Sequence, residues 1–90
     1  MTVQVDARNH VVRVDDVVDL AAAHAVREAV LAMEGDVAID FRDARDVDDS
    51  ALLYLVTTLS SAEHEFTFRG LGWPHADLLE YLAQRRKVRT

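Results

Sequence analysis

Apolar and polar positions alternate at the start of the chain, in two short runs that a turn separates. Residues 3–5 alternate strictly, and residues 10–14 are rich in β-branched side chains. Both features favour β-strands, since successive side chains of a strand point to opposite faces. Between the runs lies Ala-Arg-Asn, in which Asn9 tolerates a left-handed backbone conformation. The pattern therefore predicts an N-terminal hairpin.

A helical period replaces the alternation from residue 20 to residue 33. Apolar side chains recur there at intervals of three and four, which is typical of a helix with one buried face. Asp16 and Asp19 compete for the N-cap position, because either carboxylate can accept first-turn N–H bonds. Gly35 is well placed to end the helix in a left-handed conformation. The predicted buried stripe consists of Ala22, Val26, Ala29, Val30 and Met33.

The stretch of residues 37–59 contains a strand, an acidic connection, a serine and a second helix. Residues 37–39 (Val-Ala-Ile) are continuously apolar, which indicates a strand covered on both faces. Ser50 stands directly before a second helical stripe, where a helix presents unpaired N–H groups and the positive end of its dipole. A phosphate is easily held at such a position. The second stripe consists of Leu52, Leu55, Val56 and Leu59.

The last part of the chain predicts one more strand and one more helix. Residues 65–69 alternate, with both phenylalanines on one face, and residues 70–72 form a turn. Pro74 suits the first position of a third helix. Helices that connect strands imply parallel pairing with right-handed crossovers.

We therefore expect a single α/β domain over residues 1–90, with the element order β-β-α-β-α-β-α. It should contain a mixed four-stranded sheet with an N-terminal hairpin and three main helices. Eight side chains are predicted to be buried in its core: Val26, Ile39, Leu52, Leu55, Val56, Leu59, Phe66 and Phe68.

Composition and charge narrow the classes of function. Half of the 90 residues are hydrophobic, which argues for a folded domain. The net charge of -6 disfavours direct binding of nucleic acid, since phosphate contacts need a basic face. The chain has no cysteine, no apolar run long enough to span a membrane and no visible signal peptide. We expect a soluble cytoplasmic domain.

The central stretch could contain a metal site or a nucleophilic serine, but each feature has a simpler explanation. Asp43, Asp46, Asp48 and Asp49 could bind a metal, but the glycine and glutamate of an EF-hand loop are missing, and aspartates are ordinary loop and cap residues. Ser50 could be a nucleophile, but no G-x-S-x-G elbow surrounds it. The four histidines also fall in unrelated contexts: His10, His24, His64 and His75. We therefore expect no metal, no cofactor and no enzymatic activity.

Two interpretations of Ser50 stay open. A phosphate there would add about -1.5 to -2 charge beside several aspartates and would repel a partner that binds the unmodified face. Serine is also a common helix-capping residue, and spacing alone favours that simpler use. Trp73, the one tryptophan, either packs against the last helix or anchors a partner, and the sequence does not decide between them.

Two segments of the chain resemble motifs of STAS domains, the fold of bacterial anti-sigma-factor antagonists and of regulatory domains on anion transporters. Residues 11–23 are similar to the second strand of that family and its G-x-L-D-x-x-x-A entry to the first helix. Residues 37–51 are similar to its h-h-h-D-h-x-x-h-x-h-h-D-S-S-G segment, and residues 70–82 to its closing glycine turn and leucine-rich helix.

This resemblance implies a function and a set of site residues. A kinase-type anti-sigma factor, a serine-kinase-like ATPase, would phosphorylate Ser50, with Asp49 and Asp19 on the same partner-binding surface. The chain departs from the family pattern at three positions. Asp16 stands where the family has Gly, Ala51 where it has Ser or Thr, and Leu52 where it has Gly. These departures remove backbone freedom near Ser50, the residue that would be phosphorylated. Some STAS proteins work without phosphorylation, so the alternative is the small cytoplasmic subunit of a bacterial phospholipid-transport ABC complex.

Overall fold

The computed structural model of the protein describes residues 3–59, 66–72 and 75–78. The predictions for Trp73, Pro74 and Glu65 lie outside these residues. Residues 75–78 are helical and are called α3 below. The other elements, in chain order, are β1 (Val3–Asp6), β2 (Val11–Val14), β3 (Asp16–Val18), α1 (Leu20–Leu31), β4 (Val37–Asp40), β5 (Ala44–Val47), α2 (Asp49–Leu59) and β6 (Phe66–Arg69).

The main sheet has four strands in the order β1-β2-β4-β6. β1 and β2 pair antiparallel, with Val5 opposite Val12, and form the predicted hairpin. β2 pairs parallel with β4, and β4 pairs parallel with β6, so that Ile39 lies between Val12 and Phe68. The prediction of an α/β domain with a mixed four-stranded sheet and three helices is confirmed. None of the helices in the described ranges is long and apolar enough to cross a membrane.

Two further strands form a second, smaller sheet that the sequence analysis did not predict. β3 and β5 pair parallel, with Val18 opposite Val47. The sequence analysis treated these segments as the entry to the first helix and as an acidic loop. Each strand buries essentially one apolar side chain, and aspartates surround it. Strands of three or four residues are too short to give a periodic signal against such turn-forming neighbours.

The ends of α1 agree only in part with the sequence analysis. Asp19 is the N-cap: its Oδ1 accepts a hydrogen bond from the Ala22 N–H at 2.8 Å. Its competitor Asp16 lies in β3 instead. The helix ends at Leu31, two residues before the predicted end. Gly35 has the predicted left-handed conformation (φ 80°), but it lies in the loop before β4 rather than at the helix end.

The hairpin turn differs from the prediction in one residue. His10, not Asn9, has the left-handed backbone (φ 55°). Asn9 instead makes two hydrogen bonds to the Asp6 carboxylate, from its backbone N–H at 3.2 Å and from its side-chain amide at 2.9 Å. These bonds lower the pKa of Asp6, the side-chain bond having the larger effect. The Asp6–Asn9 bonds close the turn, and the left-handed residue is displaced to the next position.

The core lies between one face of the main sheet and the helices α1 and α2, which pack against each other. All eight side chains that were predicted to be buried are buried. In α1, Ala22, Val26 and Val30 are buried as predicted, while Ala29, and Met33 just beyond the helix, are partly buried against the core. The two helical stripes therefore predicted the core well.

Leu55→Ala tests the packing of α2 on the sheet. Leu55 is fully buried, so the truncation should lower the free energy of unfolding by about 2–5 kcal/mol. Leu53→Ala is the matched control, because Leu53 lies on the same helix and is 47% exposed. Its effect should stay within about 0.5 kcal/mol. Urea denaturation measures both values, and equal effects of the two truncations would contradict the assignment of the buried face.

Gly70→Ala tests the turn after β6. Gly70 has φ 77°, and a Cβ there would lie 2.6 Å from the backbone N of Arg42. Strain and steric overlap together should destabilise the protein by about 2 kcal/mol or more. Gly72→Ala is the control, because no atom lies within 4 Å of the added Cβ and φ is not positive. Thermal unfolding of both variants measures the difference, and similar melting temperatures would contradict it.

Candidate functional site

The starts of α1 and α2 lie side by side at the end of the small sheet. β3 and β5 run parallel with Val18 opposite Val47, and each strand leads almost directly into a helix. The Asp48 N–H donates a hydrogen bond to the Val18 carbonyl oxygen at 2.9 Å. Asp19 follows Val18, and Asp49 follows Asp48. The small sheet therefore brings the helix starts that carry Asp19 and Asp49 to one edge of the domain.

Ser50 is exposed in the first turn of α2. The helix begins at Asp49, and the Leu52 N–H donates to the Asp48 carbonyl oxygen at 3.1 Å. Asp48 thus occupies the capping position, and Ser50 is the second helical residue. The next residues, Ala51 and Leu52, are fully buried. The hydroxyl at position 50 is therefore open to solvent on the outer side of a helix whose inner side is packed.

An open groove lies between α1 and α2 on the same outer surface. Its walls are Leu20, Ala21 and His24 from α1 and Tyr54 from α2, and its volume is about 440 Å³. The Tyr54 hydroxyl lies 3.1 Å from His24 Nδ1 and links the two walls. Tyr54 is four residues after Ser50, so both lie on one face of α2. We call the set Leu20, Ala21, His24 and Tyr54 the helix groove.

The helix groove was not predicted from the sequence. Leu20 is 52% exposed and lies outside the buried stripe of α1, at the first position of the helix. Leu53, beside Tyr54, is likewise an exposed apolar residue. Large apolar residues that do not fit the helical stripe were the available signal, because a continuous exposed apolar surface often marks a binding site.

A second contact at the start of α2 comes from α3. His75 Nε2 lies 3.3 Å from Asp49 Oδ1. His75 also lines a half-open cleft of about 240 Å³ between β5 and the turn after β6. His75 is one of four histidines that fall in unrelated sequence contexts. Its contact with Asp49 leaves no signal in the sequence, because the partners are distant along the chain and only the tertiary fold brings them together.

The acidic residues of the central stretch do not converge. Asp46 lies in β5, Asp48 and Asp49 lie at the start of α2, and Asp43 precedes β5. The neighbouring cation Arg45 pairs with Asp16 across the small sheet at 3.0 Å. Within residues 3–59, 66–72 and 75–78, no three histidine or acidic side chains are arranged to hold a metal ion. Trp73, the remaining candidate for partner binding, is outside the described ranges.

A buried carboxylate fixes the connection from β4 to β5. Asp40, at the end of β4, is 4% exposed and accepts hydrogen bonds from the Arg42 backbone N–H at 2.9 Å and from Nε at 3.0 Å. Arg42 Nη2 lies 2.9 Å from the same carboxylate. Burial alone would raise the pKa of Asp40, but the hydrogen bonds and charge of Arg42 outweigh it, and the pKa lies below the ordinary 3.8. The pairing of Asp40 with Arg42 was not predicted from the sequence.

Asp40→Asn tests this connection through its dependence on pH. Because the pKa of Asp40 is depressed in the folded state, its stabilisation is complete above the unfolded pKa of 3.8 and is lost as the pH falls through the folded pKa. At neutral pH the variant should lose about 1–3 kcal/mol, the usual worth of hydrogen bonds to a charged group. Below the folded pKa the difference from the wild type should shrink.

Denaturant unfolding as a function of pH measures this difference. Glu34→Gln is the control, because it neutralises an exposed carboxylate in the loop after α1. A loss of stability in Asp40→Asn that does not change with pH would contradict the role of the carboxylate charge.

Comparison with known proteins identifies no relative: no protein-family model and no curated protein sequence matches the chain. The function of the chain is therefore inferred from the geometry of the site.

Proposed function

We propose that the chain is a non-catalytic regulatory module that binds another protein, and that it acts as an anti-sigma-factor antagonist of the STAS type. The observation that supports this most directly is the position of Ser50. It is exposed in the first turn of α2, between the acidic edge formed by Asp19 and Asp49 and the apolar helix groove. A docking surface and a modifiable residue are thus contiguous.

The helix groove offers the docking surface. Two helices begin together there and leave Leu20 half exposed beside the Tyr54 ring. Burial of such apolar area stabilises a protein complex, while the surrounding carboxylates add specificity. A partner that fits this surface carries an apolar segment for the groove and basic side chains for Asp19 and Asp49.

The surroundings of Ser50 suit a reversible modification. A kinase can reach the hydroxyl without unpacking α2, since the buried residues point to the other side of the helix. A phosphate at a helix start is tolerated by the exposed N–H groups and by the helix dipole. It would still add bulk and about -1.5 to -2 charge at the edge that the partner contacts. The partner would therefore dissociate while the domain stays folded.

The departures from the STAS motifs are compatible with this proposal. Ala51 and Leu52, which replace a Ser or Thr and a Gly, are fully buried and leave the exposed face of α2 unchanged. Asp16, which replaces a Gly, keeps a left-handed backbone (φ 59°) of the kind that glycine adopts readily. Aspartate tolerates that conformation better than most residues.

Variants of Ser50 test the proposal in a pull-down from the native host, with mass spectrometry to identify the captured proteins. The wild type should capture an anti-sigma factor of the serine-kinase-like ATPase class. Ser50→Asp should weaken that binding by about 1–3 kcal/mol, since the carboxylate places a hydrated group beside the helix groove but is smaller than a phosphate. Ser50→Ala should bind at least as well as the wild type and should resist release when the kinase and ATP are present.

Ala32→Asp is the control, because it adds the same charge on the exposed surface just after α1, away from both helix starts. Three results would contradict the proposal. Absence of phosphate on Ser50 after incubation with the captured kinase and ATP would remove the switch. Capture of an ABC-transporter subunit instead would favour the alternative function in phospholipid transport. Turnover of a substrate that Ser50→Ala abolishes would make the protein an enzyme.

A further inference from the structure

Three charged side chains lie in one row across the main sheet. Arg13 on β2 pairs in register with Asp40 on β4, and Asp40 pairs with Arg69 on β6. The residue before Asp40, Ile39, is fully buried in the core under the helices. Since successive side chains of a strand point to opposite faces, the three charged side chains lie on the outer face of the sheet. We call Arg13, Asp40 and Arg69 the arginine row.

The carboxylate in the middle of the arginine row is already satisfied. Asp40 is 4% exposed, accepts hydrogen bonds from the Arg42 backbone N–H and Nε, and lies 2.9 Å from Arg42 Nη2. A second carboxylate on this face, that of Asp6, is bound by Asn9. The charge of Asp40 is therefore balanced by Arg42 without help from the two arginines beside it.

Arg13 and Arg69 are left available on the two sides of Asp40. Both are exposed, and neither side chain makes an ion pair or a hydrogen bond with another residue of the described ranges. They lie two strand spacings apart, so their Cα atoms are separated by about 9–10 Å. Their long side chains can therefore meet above the shorter side chain of Asp40. The chain has a net charge of -6, yet this part of its surface is positive.

We propose that the arginine row is a binding site for a small, soluble phosphate monoester, which Arg13 and Arg69 hold from both sides. A guanidinium presents parallel N–H groups that match the oxygens of a phosphate. Gln4, which is exposed and pairs in register with Arg13, supplies a neutral donor beside them. The site lies on the opposite face of the sheet from α1 and α2, so it does not depend on the proposed modification of Ser50.

The distribution of charge on the outer face favours a small ligand. The next row of the same face consists of Val11, Ala38 and Thr67 and carries no charge. An anionic membrane is typically recognised by clusters of about four to eight cations, and an extended acidic peptide also needs cations along its length. A phosphate monoester instead concentrates about -1.5 to -2 charge in one group. The uncharged row leaves room for the organic part of the same molecule.

Titration of the 15N-labelled protein with phenyl phosphate tests the proposal. Amide signals of β2, β4 and β6 around the arginine row should shift and saturate, with a dissociation constant on the order of 1 mM, as expected for two charge-assisted contacts. Sodium chloride keeps the ionic strength constant during the titration, because exposed charges are screened by salt. Phenol, which lacks the phosphate, should cause no such shifts.

Three variants assign the binding to the two arginines. Arg13→Gln and Arg69→Gln should each weaken it about tenfold, because each removes one charge-assisted contact. Both side chains are exposed, so the fold should persist, and unchanged amide signals of α1 and α2 would verify this. Arg8→Gln is the matched control, since it removes the same charge from the exposed hairpin turn before β2 and should leave the affinity unchanged.

Three results would overturn the proposal. One is an equal affinity of Arg13→Gln, Arg69→Gln and Arg8→Gln for phenyl phosphate. Another is a set of shifts that does not saturate or that phenol reproduces. The third is sedimentation of the protein with vesicles that contain phosphatidic acid while phenyl phosphate causes no shift, which would assign the arginine row to a membrane surface instead.

Discussion

The parallel pairing of β3 with β5 is the contact on which the candidate site depends. It sets Val18 beside Val47, and both side chains are buried in the core. Each strand runs into a helix within two residues, so the register of this small sheet also fixes the relative height of the two helix starts. Asp19, Ser50 and the helix groove share one surface for this reason.

The small sheet is itself positioned by the connection from β4. Asp40 ends β4, and its carboxylate binds the backbone and side chain of Arg42, where the chain turns toward β5. Gly70 lies against the same Arg42 backbone and admits no side chain there. The buried Asp40 carboxylate and the close approach of Gly70 therefore both constrain the Arg42 backbone. The cost of burying the Asp40 carboxylate is offset because a guanidinium and an N–H satisfy it.

The parts of the fold that could be predicted from sequence are those with a repeated signal. The apolar stripes of α1 and α2 extend over several helical turns. The period of the apolar residues therefore shows which face of each helix is buried. β3 and β5 have only three and four residues, too few to show a clear alternation of apolar and polar side chains. Their aspartates also favour turns. The left-handed backbone at His10 accompanies the local hydrogen bonds between Asn9 and Asp6, which no apolar period signals. The contact between Asp49 and His75 leaves no local trace, since only the fold brings these residues together.

The acidic edge around Ser50 limits how a phosphate could release a partner. A basic partner segment that fits Asp19 and Asp49 would be attracted, not repelled, by further negative charge at long range. Exposed charges are also screened over about 10 Å at roughly 0.1 M salt. Release must therefore come from short-range effects: the phosphate occupies space beside the helix groove, and it must lose hydration when apolar surface covers it. Such effects act only at the contact itself. If Ser50 is modified as proposed, a serine one turn from an apolar groove would therefore be a better switch than a serine placed elsewhere on the same acidic surface.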